Sequence, residues 1–220
     1  MNELLFIITI LVNFCGILLA HKLFGKTGLF VWVGVASVWA NIEVAKCVDM
    51  FGLAVTLGNV IYGTTFLATD ILSEKYGGKE ARKGVMIGFF TSVTFTLISQ
   101  INLLFIPNSA DVVSGAMKTV FSFMPRMCIA SVIAYLISNM LDTYTFDFIR
   151  KHFPNQLWLR NNGSTMTSQL IDSFLFTIIA FVGTFDWLTI IELSLTTYAI
   201  KIIVAACDTP FLYIAKHIKE

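Results

Sequence analysis

Ionisable side chains interrupt several long apolar stretches of this sequence, and they are the first candidates for its chemistry. A charged side chain at the centre of a membrane-spanning helix costs at least about 2.5–3.5 kcal/mol on insertion scales, so such groups usually mark a solute pathway or a binding site. Carboxylates accept hydrogen bonds, whereas ammonium and guanidinium groups only donate them. The residues of this kind are Glu43, Asp70, Arg126, Asp142, Asp172 and Lys201.

Asp172 and Lys201 lie near the middles of two consecutive apolar segments, residues 164–183 and 189–214. Consecutive membrane helices run in opposite directions, so the two side chains come to similar depths. We expect a buried ion pair, because pairing is the usual way to hold opposite charges in a membrane. One interpretation is a pair that serves the function of the protein. The alternative is an ion pair that only locks the two helices together.

Two polar stripes follow helical spacing, and they indicate the lining of a polar cavity. The first stripe consists of Asn59, Tyr62, Gly63, Phe66 and Asp70. The second consists of Ser131, Tyr135, Ser138 or Asn139, and Asp142. Small and polar residues also form helix-packing faces, which is the alternative interpretation of both stripes. Asp142 lies close to the predicted cytoplasmic interface, so a structural role is an equal alternative for it.

Two further sets of polar residues lie at predicted helix ends. Arg126 follows Pro125 at the start of a segment, and we expect it either to extend to the outer membrane interface or to guard an outer vestibule. We therefore assign Arg126 and Asp142 a gating or structural role. Ser164 or Asn162 is expected to cap the next helix, which would leave the positive end of that helix facing a cavity.

The composition of the chain indicates that lipid is its solvent. Of its 220 residues 56% are hydrophobic and 13% are charged, whereas about 25% of the residues in soluble domains are charged. A membrane-spanning helix needs about 20 mostly apolar residues. The stretches that qualify are 4–20, 29–46, 52–72, 84–106, 120–146, 164–183 and 189–214. The sequence predicts an all-α, polytopic membrane helix bundle of about seven helices in one domain, 1–220, with an extra N-terminal helix (4–20) and a six-helix core (29–214).

The basic residues are distributed unevenly over the predicted loops. Eleven Lys and Arg fall in the first, third and fifth loops and the C-terminal tail, whereas Lys46 and Lys118 fall on the opposite side. Cytoplasmic loops carry the excess of basic residues in membrane proteins. The N-terminus is therefore predicted outside and the C-terminus in the cytoplasm. Seven spans also require the two termini to lie on opposite sides.

Motifs for several other kinds of chemistry do not occur in the sequence. It has no Walker A, HExxH, GxSxG or CxxC motif, and its four cysteines are scattered. We therefore predict no catalytic residue, no metal site and no cofactor. No basic patch indicates a nucleic-acid partner. The expected partners are the lipid bilayer and a small solute, with energy supplied by a gradient or by a separate protein.

Four blocks of sequence resemble the signature of the queuosine precursor transporter family, also called the vitamin uptake transporter family. The first block is Phe66-Leu67-Ala68-Thr69-Asp70-Ile71-Leu72-Ser73-Glu74-Lys75-Tyr76-Gly77. The second contains Arg126, Ala130-Ser131 and Ala134-Tyr135 and ends in Asp142. The third contains Gly163-Ser164-Thr165, Gln169 and Asp172, and the fourth contains Lys201. The resemblance extends from about residue 40 to the end, and the extra first helix is typical of the longer form of the family.

The resemblance implies import of 7-deazaguanine-type queuosine precursors across the bacterial inner membrane, for use in tRNA modification. In this hypothesis Asp172 or Asp70 accepts hydrogen bonds from the ring N–H and amino group of a guanine-like edge. Lys201 is then the counter-charge or a donor to the ring carbonyl, and aromatic side chains stack on the flat ring. The substrate-binding residues predicted in this way are Asp172, Asp70, Lys201, Gln169, Asn59, Tyr62, Phe66, Tyr135, Ser164 and Thr165.

The sequence leaves other interpretations open. The chain could be a substrate-binding membrane subunit for another vitamin-like solute, driven by a separate ATPase module. An intramembrane aspartyl protease using Asp70 and Asp142 is a weaker alternative, because that class usually has a GxGD motif and this chain has none. The sequence does not establish whether two copies form a homodimer, which ion drives transport, or which queuosine precursor is preferred.

Overall fold

The computed structural model describes residues 1–152 and 157–218, without the side chains of 139, 142, 143, 146, 147, 150, 157–162, 164, 165 and 209. Three predicted site residues, Asp142, Ser164 and Thr165, thus have side chains outside the described part, as do the alternatives Asn139 and Asn162. The helix that contains Ser164 begins at Leu157, so the expectation that Ser164 or Asn162 caps it is wrong. Within the described residues the chain forms helices and one small hairpin. The elements are α1 (Asn2–Glu43), β1 (Cys47–Met50), β2 (Leu53–Thr56), α2 (Asn59–Tyr76), α3 (Gly78–Asn102), α4 (Ser114–Phe121), α5 (Met124–His152), α6 (Leu157–Phe181) and α7 (Trp187–His217).

Helix α1 is two helical arms that fold back on each other at Gly25. Gly25 has a φ of 55° and a ψ of −138°, a conformation that glycine adopts without the steric cost of a Cβ. A Cβ placed on Gly16 would lie 2.6 Å from the Trp32 ring, so residues 16 positions apart are in contact. A straight helix would separate them by about 24 Å. The arms correspond to the predicted segments 4–20 and 29–46.

A β-hairpin occupies the start of the predicted helical segment 52–72. Strands β1 and β2 are antiparallel, and they are joined by Phe51 and Gly52, both with positive φ. Helix α2 then begins at Asn59 rather than at residue 52, after Gly58 with a φ of 92°. A short apolar run is compatible with either a strand or a buried helix, which is why the pattern predicted helix here.

Two apolar clusters hold the helices together, and α7 contributes to both. The larger cluster joins α1, the hairpin, α2 and α7, with Phe14 and Leu67 completely buried. The smaller cluster joins α5, α6 and α7, with Met127 and Leu193 buried. Helices α1, α2 and α3 pack on one another, and α5 packs mainly on α6, whereas direct contact between these two groups is sparse. The structure therefore has a seam between an α1–α3 group and an α5–α6 group, with α7 in contact with both.

The outer surface of the bundle is apolar, as expected of a helical membrane protein. Large hydrophobic side chains such as Leu97, Ile129 and Leu195 are exposed along the helices. Among the described residues, four helical stretches are long and apolar enough to cross a membrane: α1, α3, Ser114–Ser138 and α7. Met166–Phe181 is a shorter apolar helix. The chain is thus a multi-pass helical membrane protein, whereas the count of seven spans stays a prediction.

Loop contacts divide the molecule into two ends. At one end the Asn2 side chain donates to the Asp49 carbonyl (2.7 Å), and the N–H of Phe51 donates to Glu3 (3.2 Å). At the other end Lys75 donates to the Ile218 carbonyl (2.8 Å) and Lys216 donates to Glu74 (2.7 Å). Lys26 of the first loop also pairs with Glu80 at 3.2 Å, so the basic first loop, third loop and C-terminal tail lie together. That this end is cytoplasmic stays a prediction from the charge distribution.

Candidate functional site

Asp172 of α6 and Lys201 of α7 form the ion pair that their depths predicted. The Lys201 ammonium donates to Asp172 Oδ2. The two side chains are 8% and 9% exposed, so both charges are almost completely removed from the surroundings. A buried charge pair is tolerated only with close geometry and further hydrogen bonds. The neighbours of the pair therefore matter as much as the pair itself.

Ser138 and Tyr62 supply those further interactions from two other helices. The Ser138 hydroxyl on α5 lies 3.2 Å from Asp172 Oδ1, and a charged carboxylate is the stronger acceptor available to it. The Tyr62 ring on α2 lies with its centroid 5.5 Å from the Lys201 ammonium, within the range of a cation–π interaction. Four helices thus converge on one pair of charges, and both carboxylate oxygens of Asp172 are engaged.

The pair lines the first of two cavities on the seam, which we call the ion-pair cavity. It encloses about 400 Å³ of empty space, counting the part open to solvent. Asn59 lies on its wall, and the Asn59 amide donates to the Thr56 carbonyl (3.2 Å), which joins the start of α2 to the hairpin. The residues around the ion-pair cavity are Ala40, Asn41, Val44, Leu57, Gly58, Asn59, Tyr62, Ser131, Ala134, Asp172, Phe176 and Lys201.

The second cavity is lined by aromatic rings from three helices, and we call it the aromatic cavity. It encloses about 620 Å³ of empty space, again counting the part open to solvent. Tyr62 and Phe66 of α2 meet edge to face with ring centroids 5.2 Å apart. Phe89 of α3 and Tyr135 of α5 do the same at 4.7 Å. Tyr62, Phe66 and Tyr135 are therefore brought to one cavity, with polar side chains between them.

Asn41 and Ser131 lie where the two cavities meet, and with Tyr62 they line both. The Ser131 hydroxyl of α5 donates to Asn41 Oδ1 of α1 at 3.0 Å. This bond crosses the seam between the α1–α3 group and the α5–α6 group. Ser131 was among the residues predicted to line a cavity, whereas Asn41 was not. The available signal was an amide side chain inside the apolar segment 29–46. A search restricted to charged residues does not find it.

Asp70 and Gln169 are placed differently from the other predicted residues. The Asp70 side chain is exposed and, unlike Asp172, lines neither cavity. Gln169 lies one turn before Asp172 on α6 and also lines neither cavity. Its Oε1 is buried and accepts no hydrogen bond from any residue that the structure describes. Gly63 of the same predicted stripe packs against Val204, where a Cβ would lie 2.3 Å from a methyl group.

Arg126 binds the end of helix α6. Its Nε donates to the Ile179 carbonyl at 2.7 Å, and one terminal nitrogen donates to the Val182 carbonyl. The other terminal nitrogen lies 3.4 Å from the Thr184 hydroxyl. A cation is stabilised at the C-terminal end of a helix, where carbonyl groups lack helical partners. This placement is compatible with a structural role, and the gating role stays a prediction.

Glu192 of α7 is a further charged residue with a structural contact, because it binds the hairpin. It was not among the predicted site residues. Its carboxylate accepts from the N–H of Ala54 at 2.8 Å, and the Thr196 hydroxyl donates to the Ala54 carbonyl at 2.9 Å. The free edge of β2 is thus paired by α7 side chains, as an edge strand requires in an apolar environment. The signal available was a carboxylate near the start of the apolar segment 189–214.

Comparison with known proteins identifies a matching family and several relatives of this chain. Residues 56–215 match the family model described as "Putative vitamin uptake transporter". The chain is 47% identical over 217 residues to a Bacillus subtilis protein named "Probable queuosine precursor transporter", covering 98% of this chain and 95% of that relative. It is 29% identical over 173 residues to the Escherichia coli "Queuosine precursor transporter", covering 76% and 74% of the two chains. No solved structure gave a significant match.

Proposed function

The chain belongs to the family of putative vitamin uptake transporters, and from this premise we propose that it imports queuosine precursors across the bacterial inner membrane. These precursors are 7-deazaguanine-type bases that serve queuosine salvage into tRNA. The observation that carries the proposal is the near full-length similarity to the Bacillus subtilis relative. The transported molecule is a small solute, and the chain itself performs no catalysis in this proposal.

The cavities on the seam support a flat, polar substrate. The aromatic cavity offers rings on which a planar base can stack, and aromatic faces are well suited to that contact. The ion-pair cavity beside it offers a carboxylate, an ammonium group and an amide. A pocket lined by aromatic side chains with a few convergent polar groups is typical of a site for a small heterocycle.

The site residues follow from this arrangement as proposals. Tyr62, Phe66 and Tyr135 form the apolar walls, and Asp172 and Lys201 form the charged floor. The structure leaves Asp70 on the exposed face of α2, which favours Asp172 over Asp70 as the carboxylate of the site. Asn59, Gln169, Ser164 and Thr165 stay in the proposed set as residues on the same two helices, α2 and α6.

The seam supports an alternating mechanism. A transporter must open its site to one side of the membrane at a time, and this is usually achieved by one group of helices rocking against another. Here the cavities lie between the α1–α3 group and the α5–α6 group, where direct packing is sparse. Energy for uphill import would come from a gradient or from a separate ATPase, and a homodimer is compatible with either source.

The test is salvage in a bacterium that can neither synthesise nor import queuosine precursors. This chain is expressed, each precursor is supplied at nanomolar concentration, and queuosine in tRNA is measured. Restored modification is the expected result, and the precursor preference begins to define the pocket. Absence of modification with the protein present in the membrane would overturn the proposed substrate, and co-purification with an ATPase would then favour the ATPase-driven alternative.

A further inference from the structure

The wall of the aromatic cavity carries several polar side chains besides its aromatic rings. Three hydroxyl groups on its wall already donate to carbonyls of their own helices: Ser37 to Val33 (2.7 Å), Thr65 to Tyr62 (2.6 Å) and Thr69 to Phe66 (2.8 Å). A hydroxyl has one proton to donate, so none of the three has a donor left for a bound molecule. These residues therefore make the wall polar without giving it a means of donating to a ligand.

Asn41 differs from these three residues, because its donors are not committed to a carbonyl of its own helix. It is 7% exposed, and its Oδ1 accepts from Ser131. Its Nδ2 carries two N–H donors, and no acceptor for them is found among the residues that the structure describes. Nδ2 is not among the fully enclosed atoms that lack a partner, so it reaches the open space where the two cavities meet. Polar groups of a buried side chain usually have a hydrogen-bond partner, and a molecule held in this space can supply the acceptor.

Asp172 is less suited to reading the edge of a base. Lys201 and Ser138 each donate to one of its carboxylate oxygens, and each oxygen keeps a further lone pair, so the position of Asp172 decides rather than its accepting capacity. It lines only the ion-pair cavity, whereas the aromatic rings that would hold a flat molecule line the other. Asn41 lines both cavities, so a base stacked in the aromatic cavity reaches Asn41 before it reaches Asp172.

We propose that the Asn41 carboxamide recognises the lactam edge of a planar heterocycle held in the aromatic cavity, and that Ser131 orients this carboxamide. A lactam presents a ring N–H beside a C=O, and a carboxamide presents a C=O beside an NH₂, so the two edges form a pair of parallel hydrogen bonds. The Ser131 bond fixes which end of Asn41 accepts. The inference rests on the proposed function, because it names the residue that selects a guanine-like substrate.

The proposal has a consequence for specificity. A site built to hydrogen-bond a particular edge rejects an analogue that lacks it, because buried polar groups of the protein then lose their partners. An O6-methylated 7-deazaguanine keeps the fused ring, adds one methyl group, and loses both the ring N–H and the carbonyl. We expect the wild-type protein to bind such an analogue at least about ten-fold more weakly than the unmethylated base.

The experiment measures binding to the purified full-length protein, with the nitrile-bearing 7-deazaguanine precursor and its O6-methyl analogue as probes. Asn41→Leu keeps the number and branching of the side-chain heavy atoms, with a somewhat larger volume, and removes the carboxamide. The expected result is at least about a ten-fold loss of affinity for the precursor, and little remaining discrimination between the two probes. The matched control is Ser37→Ala, which changes a hydroxyl on the same wall that has no free donor, and we expect its affinity to stay within about two-fold.

The possible results distinguish failure of the proposed function from failure of the proposed role of Asn41. Wild-type protein that binds neither probe overturns the proposed function and this inference together. Wild-type protein that binds the precursor, with an Asn41→Leu variant of equal affinity and equal discrimination, overturns the inference alone. Where Asn41→Leu fails to fold, Ser131→Ala takes its place: a loss of discrimination supports the role of the pair, and wild-type discrimination contradicts it.

Discussion

Helix α6 receives a cation from each of its neighbours, and the two contacts differ in kind. Arg126 of α5 binds backbone carbonyls at the end of α6, whereas Lys201 of α7 binds the Asp172 side chain near its middle. Either cation can leave by a change of its own rotamer, but Arg126 lines neither cavity, so its departure would only leave carbonyls without a donor. Asp172 and Lys201 both line the ion-pair cavity, where a bound molecule can take the place of either partner. Of these two contacts, therefore, only the second borders a cavity that can hold a ligand.

Breaking one side of the ion pair should have the largest effect. Lys201→Met leaves Asp172 buried without its cation, and removing one partner of a buried pair typically costs about 3–5 kcal/mol. We expect little folded Lys201→Met protein in the membrane. The double variant Asp172→Asn/Lys201→Met carries no buried charge and should fold, but it should not import precursor. Thermal stability in detergent and precursor uptake measure the two effects, and wild-type uptake by the double variant would show that the pair is only structural.

Substituting each of the two carboxylates of the predicted site in turn tests which of them belongs to the site. Asp172→Asn leaves Lys201 without its counter-charge, so we expect less protein in the membrane and, per folded molecule, an uptake at least about ten-fold lower. Asp70→Asn changes an exposed side chain that lines neither cavity, and its uptake should stay within about three-fold of wild type. The measurement is initial uptake rate normalised to protein in the membrane. Equal and severe losses in both variants would contradict the assignment of the site to Asp172 alone.

Removing the other cation tests the structural side of the comparison. Arg126→Gln loses the charge and at least one carbonyl bond at the end of α6, which should cost about 1–3 kcal/mol. We expect a lower midpoint of thermal unfolding, with an unchanged KM for precursor in the protein that remains folded. An unchanged midpoint together with a raised KM would assign Arg126 to the substrate pathway instead.

The smallest effect concerns the loop between α6 and α7. Asp186 caps α7 by accepting from the Thr189 hydroxyl (2.6 Å) and the Thr189 N–H (3.1 Å), and these bonds hold the pKa of Asp186 below its usual value. Because the folded-state pKa is lowered, the cap stabilises the protein fully above the unfolded-state pKa, and this contribution is lost as pH falls through the folded-state value. Asp186→Ala should lower the unfolding midpoint by about 2–4 °C at pH 7. The difference from wild type should vanish at low pH, and a difference that persists there would argue against the cap.

Much of the architecture was predictable, because lipid imposes strong rules on length, hydropathy and charge placement. The apolar stretches predicted every long helix, and helix depth predicted the contact between Asp172 and Lys201. The rotation of α2 was not predictable, since the face that Asp70 occupies depends on how α2 packs against α7 and α3. A helical stripe gives the spacing of residues but not the direction in which the stripe faces.

The remaining differences have similar causes. The hairpin at 47–56 was missed because a short apolar run does not distinguish a strand from a helix. The partners of Arg126 lie 53 and 56 residues away in the sequence, and no local pattern connects them. Asn41 was missed because an uncharged amide in an apolar helix carries little signal until its neighbours are known.

The hydrogen bonds between the hairpin and α7 affect the order in which the protein is assembled. Ala54 and its partner Glu192 are 138 residues apart in the chain. At elongation rates of about 5–20 residues per second, the ribosome delivers Glu192 roughly 7–28 s after Ala54. During that interval the edge of β2 has no partner from α7, so the hairpin must wait at the membrane surface or be shielded by insertion factors. Final closure of this end of the bundle is therefore a late, post-insertion step, and it takes place only after nearly the whole chain has been synthesised.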